Sequence, residues 1–89
     1  MNRSRFLRRW SLLGLLSLSL LGCDPQQDQY RRALRHLAQG DAATGAVLLT
    51  ALAENGHAPS QFRLGLLYRL GWGVPRQAQW AVYWFAKAA

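Results

Sequence analysis

A break at Gly71-Trp72-Gly73-Val74-Pro75 constrains the fold of this chain more than any other feature of its sequence. On both sides of the break, within residues 54–89, apolar and aromatic residues recur at helical spacing. Glycine and proline at such a position end one helix and allow a turn before the next. The stretch is therefore predicted to form a helical hairpin, a unit that cannot bury both of its apolar faces by itself.

The segment before the break predicts a helix from about Pro59 to Leu70. Its apolar residues surround most of a helical wheel: Phe62, Leu64, Leu66, Leu67, Tyr68 and Leu70. A helix with this pattern packs on several sides. Gly65 lies inside it, where glycine is about 1 kcal/mol less favourable than alanine, and this indicates that a neighbouring helix approaches closely there.

The segment after the break predicts a helix with Pro75 near its first turn and with two apolar stripes. The first stripe is predicted to face the hairpin partner and contains Ala78, Ala81, Val82, Phe85, Ala88 and Ala89. The second stripe is aromatic and contains Trp80, Tyr83 and Trp84.

Two further helices are predicted upstream, which makes the fold class all-α with two antiparallel helical hairpins. The first begins at Tyr30, ends at Gly40 and has the stripe Tyr30, Ala33, Leu34, Leu37 and Ala38. The second has Asp41 as its N-cap, ends near Asn55-Gly56 and has the stripe Ala43, Val47, Leu48, Ala51 and Leu52.

The first part of the chain, residues 1–22, is predicted to be a signal peptide. A basic opening precedes an apolar run over residues 11–21, which is shorter than the about 20 residues that a membrane-spanning helix needs. Leu20-Leu21-Gly22-Cys23 resembles the lipobox of bacterial lipoproteins, in which the cysteine is acylated and becomes the new N-terminus. The alternative for Cys23, the only cysteine, is an ordinary buried or free thiol.

If Cys23 is lipidated, residues 23–29 form a polar tether that merges into the first helix, and the domain lies close to the membrane. The resemblance implies a multiply acylated cysteine, and more than one acyl chain is what a stable anchor requires. The expected location is the periplasmic side of a bacterial membrane. By the same resemblance, Asp24 favours the inner membrane, but the sorting rule differs between bacteria, so inner and outer membrane both stay open.

The net charge of +7 is less informative than its distribution. Four of the 11 basic residues precede residue 10, so residues 23–89 carry seven basic and four acidic side chains. This excess is spread over several helices and forms no stripe that could follow a phosphate backbone. We therefore expect no nucleic-acid binding.

Residues 54–89 closely resemble a Sel-one-like repeat, a relative of the tetratricopeptide repeat. The residues that carry the resemblance are Ala58, Phe62, Leu64-Gly65, Tyr68, Gly71-Trp72-Gly73-Val74, Ala81, Trp84-Phe85 and Lys87-Ala88-Ala89. Residues 30–53 look like a diverged partner hairpin. Gln77 stands where the family usually has Asp, which puts a local helix cap in doubt, and Trp80 and Tyr83 stand where it usually has polar residues.

The resemblance implies an α-solenoid that binds other proteins, usually without catalysis. The residue inventory agrees, because no paired acids, no nucleophile beside a base and no metal-ligand cluster stand out in the sequence. We expect neither an enzyme nor a cofactor, metal or small-molecule substrate. His36 and His57 are interpreted as surface or loop residues.

The main functional hypothesis is a lipid-anchored module that binds a protein partner, or another copy of itself, through Trp80, Tyr83 and Trp84. Alternatively, Trp80 and Trp84 fold back onto the loop around Trp72 and belong to the core. A second hypothesis is an accessory factor that binds anionic lipid or an acidic polymer through Arg31, Arg32 and Arg35, which lie off the apolar stripe of the first helix. A third is a truncated remnant of a longer repeat protein.

Overall fold

The structure, a computed structural model, describes residues 24–89. Four helices, α1 (Pro25–Ala38), α2 (Ala42–Glu54), α3 (Ala58–Leu70) and α4 (Ala78–Ala88), pack as two hairpin-like pairs. The prediction of an all-α fold is confirmed. The predicted signal peptide and Cys23 lie outside the described residues, so their interpretation stays a prediction.

Helix α1 begins at Pro25, five residues before the predicted start at Tyr30. Asp24 caps it, because its Oδ1 accepts hydrogen bonds from the backbone N–H groups of Gln26 and Gln27 at 3.1 and 3.4 Å. Pro25 follows at the first helical position, where its missing N–H is not needed. Residues 25–29, predicted to be part of a polar tether, are therefore the first turn and a half of a helix.

The first hairpin is held by a close approach of α1 and α2 at Gly45. A Cβ added to Gly45 would lie 2.8 Å from Leu37 Cδ2 and 3.1 Å from the Ala33 carbonyl oxygen, so only glycine fits without a shift. Ala33 and Leu37 are buried as predicted, whereas Ala38 is exposed.

The stripe predicted for α2 is largely wrong. Ala43, Val47 and Ala51 are exposed and Leu48 is half-buried, whereas Leu52 is buried as predicted. The helix also buries Ala42, Gly45, Ala46, Leu49 and Ala53. Apolar residues surround α2 on nearly all sides, so their spacing does not select one face. The packing of α1 on Gly45 selects it.

Helix α3 is the middle of the domain and packs against both α2 and α4. Leu64 is fully buried between them together with Leu49 of α2. Gln61 is also buried, and its Nε2 donates a hydrogen bond to the Ala53 carbonyl oxygen at 3.0 Å, which satisfies the amide inside the core. The helix was predicted to pack on several sides; it packs on two, and Phe62 and Leu70 of the predicted apolar set remain exposed.

The turn between α3 and α4 begins at Gly71, which ends α3 in the left-handed conformation at φ 69°. The backbone N–H of Gln77 donates to the Tyr68 carbonyl oxygen at 3.0 Å and closes the turn. Helix α4 starts at Ala78, so Pro75, predicted to lie near its first turn, precedes the helix by three residues and is part of the connecting turn. Gln77 occupies the N-cap position without a side-chain hydrogen bond, as the departure from the family pattern suggested.

The face of α4 that packs on α3 runs between the two predicted stripes. Ala81 and Trp84 are buried, while Val82, expected to face α3, is 66% exposed. The ring of Phe85 lies over Gly65, where an added Cβ would be 2.7 Å from the ring carbons Cδ1 and Cε1. This confirms that a neighbouring helix approaches closely at Gly65.

Candidate functional site

An aromatic cluster, formed by Tyr68 of α3 and by Trp80, Tyr83 and Trp84 of α4, lies along one side of the second hairpin. Trp80 stacks on Tyr68 with ring centroids 6.1 Å apart and an interplanar angle of 29°. Tyr83 packs edge-on against Trp80 at 5.3 Å and against Trp84 at 4.9 Å. These tilted and offset arrangements are the ones that aromatic rings prefer, so the cluster has a defined shape.

The members of the cluster differ in exposure, and this corrects one predicted site residue. Trp80 and Tyr83 are 46% and 43% exposed and present their rings to solvent. Trp84, predicted to bind a partner, is only 6% exposed and belongs to the core with Leu64 and Leu67. Its ring supports Tyr83 from beneath, so its contribution to the surface is structural.

The charged amino group of Lys87 lies at the edge of the aromatic cluster. The Nζ of Lys87 is 5.2 Å from the centroid of the Tyr83 ring, within the range of a cation–π contact. This contact orients Tyr83 and places a positive charge beside the exposed rings.

A second apolar surface, the α3–α4 groove, was not predicted from the sequence. It is open, has a volume of about 710 Å³ and is lined by Ala58, Pro59, Phe62, Leu66, Arg69, Phe85, Ala88 and Ala89. On α3, Phe62, Leu66 and Arg69 have the spacing i, i+4 and i+7, which places them on one face. That spacing was visible in the sequence, but the rotation of α4 that completes the groove was not.

The groove and the aromatic cluster lie on different sides of α4. At about 100° per residue, Trp80 and Tyr83 are roughly 140 to 160° around the helix from Phe85. A smaller cavity of about 330 Å³, beside α2 and Val74, includes the exposed Val47.

Basic side chains occur in both hairpins, but acidic side chains occur only before α3. The four acidic side chains, Asp24, Asp28, Asp41 and Glu54, all precede α3. Residues 58–89 carry Arg63, Arg69, Arg76 and Lys87 and no acidic side chain. The second hairpin, which carries both apolar surfaces, is thus entirely cationic in its side-chain charges.

The arginines predicted to contact lipid are exposed along α1. Arg32 forms an i, i+4 ion pair with Asp28 at 3.6 Å, and both side chains are more than half exposed. Such a pair stabilises a helix by only about 0.2 to 0.5 kcal/mol, so it restrains Arg32 weakly. Arg31 and Arg35 lie four residues apart on the same exposed side of the helix.

The two histidines lie at helix ends. His36 Nδ1 is 3.2 Å from Asp41 Oδ2, and Asp41 caps α2 by accepting from the backbone N–H of Thr44. Hydrogen bonds from Thr44, with a smaller contribution from His36, hold the pKa of Asp41 below its ordinary value. His57 joins the hairpins, because its Nδ1 is 2.7 Å from Ser60 Oγ and its ring is 5.1 Å from that of Tyr30.

Within residues 24–89 no group of three or more His, Cys, Asp or Glu side chains has the geometry of a metal site. None of the four described helices has the length and apolar character needed to span a membrane. No protein-family model matches the chain, and comparisons with characterised proteins and with solved structures find no match either.

Proposed function

We propose that this chain is a non-catalytic protein-interaction module of a bacterial cell envelope, built as two hairpins of a Sel-one-like α-solenoid and anchored to lipid through Cys23. The observation that carries the proposal is the exposed pair of aromatic rings, Trp80 and Tyr83, on a rigid hairpin. Tyrosine and tryptophan dominate the energetics of many protein interfaces because they bury a large area at low entropic cost.

The packing of the motif residues supports the solenoid assignment. Leu64 and Gly65 of α3 and Ala81 and Trp84 of α4, which belong to the Sel-one-like pattern, are all buried in the second hairpin. Helix α3 then packs on α2 of the first hairpin, so the two hairpins form a continuous stack. Stacking of one hairpin on the next is the way in which helical repeats bury their apolar faces.

The energy that the two exposed rings can supply sets the scale of the interaction. Covering about 45% of two rings of roughly 200 Å² each buries about 180 Å², which contributes about 4 to 5 kcal/mol. Association itself costs about 4 to 15 kcal/mol, so the cluster needs the help of further contacts.

The proposal is tested by Trp80→Glu and Tyr83→Glu, with Val82→Glu as the matched control. Val82 is a more exposed apolar residue on the same helix that takes no part in the aromatic cluster. We expect the first two variants to lose co-purification with the partner, or self-association, in cells that express the intact lipoprotein, and Val82→Glu to retain it. Circular dichroism should show the same helicity in all three; binding that survives the loss of both rings would contradict the proposal.

A second candidate function is supported by the exposed arginines of α1. Arg31, Arg32 and Arg35 could contact anionic headgroups or an acidic polymer, at about 1 kcal/mol for each basic residue near an anionic membrane. Such binding is electrostatic and collapses at moderate ionic strength, whereas binding through Trp80 tolerates salt. Titration of vesicles with and without an anionic lipid, at low and moderate salt, distinguishes the two functions.

A further inference from the structure

We infer that the α3–α4 groove binds an acidic amphipathic helix of a partner protein. The inference rests on the proposed function as an interaction module and names a second contact surface together with the chemistry of what occupies it. Three features of the second hairpin lead to it: the position of the groove in the helix stack, its length and its charge.

The position of the groove indicates a helical occupant. On α3, Leu64 and Leu67 pack toward the core, and they lie roughly 140 to 160° around the helix from Phe62 at about 100° per residue. The groove is therefore on the side of α3 opposite to its contact with the first hairpin. A helix laid in the groove would continue the stack in the same way that α3 continues it after α2, with small residues Ala58 and Ala88 allowing close approach.

The length of the groove fits a short helix. Its wall on α3 runs from Ala58 to Arg69, which spans about 17 Å at 1.5 Å per residue, or about three helical turns. Phe62, Leu66 and Phe85 form its floor, and Phe62 is 51% exposed although its ring packs against Phe85 at 5.6 Å. An amphipathic helix that presents apolar side chains at i, i+3/i+4 and i+7 would cover these rings.

The charge of the hairpin selects the polar face of that helix. Arg69 lines the groove, and Arg63, Arg76 and Lys87 belong to the same hairpin, which has no acidic side chain. Arg69 is the charged side chain among the groove-lining residues, so two copies that met groove to groove would bring their Arg69 side chains into the same interface, and like charges across an interface oppose binding. A partner helix with Glu or Asp beside its apolar stripe would be attracted instead, and it would form an ion pair with Arg69.

The test uses two synthetic 15-residue helical peptides that share the same leucine stripe, one with Glu and one with Lys at the flanking positions. Binding to the full-length chain in zwitterionic lipid nanodiscs is measured by fluorescence anisotropy, with empty nanodiscs as the blank. We expect the Glu peptide to bind at least about tenfold more tightly than the Lys peptide at low salt. Arg69→Glu should reduce or reverse that preference.

Substitutions locate the bound peptide. Phe62→Glu should weaken binding of the Glu peptide at least about tenfold, because it removes the largest exposed ring of the groove. The matched control is Val47→Glu, an exposed apolar residue on α2 that does not line the groove, and it should change binding less than about twofold. Circular dichroism confirms that both variants remain helical.

Several results would overturn the inference. Equal binding of both peptides would contradict the preference for an acidic helix. Equal weakening by Phe62→Glu and Val47→Glu would show that the peptide does not bind in the groove. Dimerisation that depends on Phe62, or a fluorescent fatty acid that binds in a Phe62-dependent way while both peptides fail, assigns the groove to a different occupant. If Trp80→Glu still abolishes partner binding in cells, the proposed function survives any of these failures.

Discussion

The substitution Gly73→Ala tests how the turn between α3 and α4 contacts the first hairpin. Gly73 has φ 76°, a conformation that alanine adopts with difficulty. A Cβ at this position would also overlap the carbonyl oxygen of Ala42 and lie 3.0 Å from the Ala42 Cβ. Ala42 is the first residue of α2, so the atoms in the way belong to a fixed helix end rather than to a flexible side chain.

The two effects add to a large loss of stability. The left-handed conformation costs a residue other than glycine about 1 to 2 kcal/mol. Overlap with a packed neighbour adds about 1 to 3 kcal/mol, as in over-packed cores. The expected loss of about 2 to 5 kcal/mol is a large part of the roughly 3 to 5 kcal/mol that the core of so small a domain supplies.

A control at Gly56 separates the two effects. Gly56 has φ 88°, and a Cβ there would meet nothing within 4 Å, so Gly56→Ala introduces the backbone strain alone. Free energies of unfolding are obtained from urea titrations followed by circular dichroism. We expect Gly56→Ala to lose about 1 to 2 kcal/mol and Gly73→Ala to lose about 1 to 3 kcal/mol more. Equal losses in the two variants would refute the contact between Gly73 and Ala42.

Three further predictions use the same measurement. Gly65→Ala should destabilise the chain, because over-packing against Phe85 costs about 1 to 3 kcal/mol and outweighs the gain in helix propensity of about 1 kcal/mol. In a Phe85→Ala variant the same substitution should be stabilising, and destabilisation in both backgrounds would contradict the contact between Gly65 and Phe85. Trp84→Ala should cost about 3 to 5 kcal/mol and the half-exposed Trp80→Ala much less; similar losses would place Trp80 in the core. Because the pKa of Asp41 is lowered in the folded state, its carboxylate contributes stability that is present above the ordinary Asp pKa and is lost as the pH falls through the pKa of the folded state. Lowering the pH from about 6 to about 3 should therefore destabilise the wild type more than Asp41→Asn. Identical pH dependence of stability in the wild type and in Asp41→Asn would show that Asp41 does not cause the loss of stability at low pH.

Three helix ends could be predicted because local residues determine them. Asp41 was expected to cap α2 and does so, and the breaks at Asn55-Gly56 and Gly71 lie where expected. The same kind of signal was present at Asp24-Pro25, an N-cap residue followed by a proline. Because residues 23–29 are polar, they were interpreted as a tether, and the predicted start of α1 was too late.

The buried faces of α2 and α4 were harder to predict, for a physical reason. Both helices are apolar on more than one side, so spacing alone leaves several rotations open. In α2 the choice depends on Gly45, and in α4 on the contact between Phe85 and Gly65, both of which involve a second helix. The exposure of Trp80 and Tyr83 was anticipated from their departure from a family pattern, whereas the burial of Trp84 and the α3–α4 groove required the relative rotation of two helices.

The way in which the core is built also explains why so much apolar surface lies outside it. The helix contacts use small residues: Ala33, Ala42, Gly45, Ala46, Ala53, Gly65 and Ala81 are all buried. Small residues bring helices close together but leave little room for large side chains between them. The core has room for five leucines and Trp84, whereas other large apolar residues remain exposed, among them Val47, Phe62, Leu70, Trp72, Trp80, Val82 and Tyr83.

The large apolar residues that lie outside this core have a functional consequence. Large apolar areas that face water are uncommon on protein surfaces and are typical of interaction sites, since their exposure does not stabilise the fold. Substituting Trp80 or Phe62 with a polar residue should therefore weaken binding with little loss of stability. Enlarging Gly65 should instead separate α3 from α4 and displace both apolar surfaces together, because both surfaces are formed by residues of these two helices.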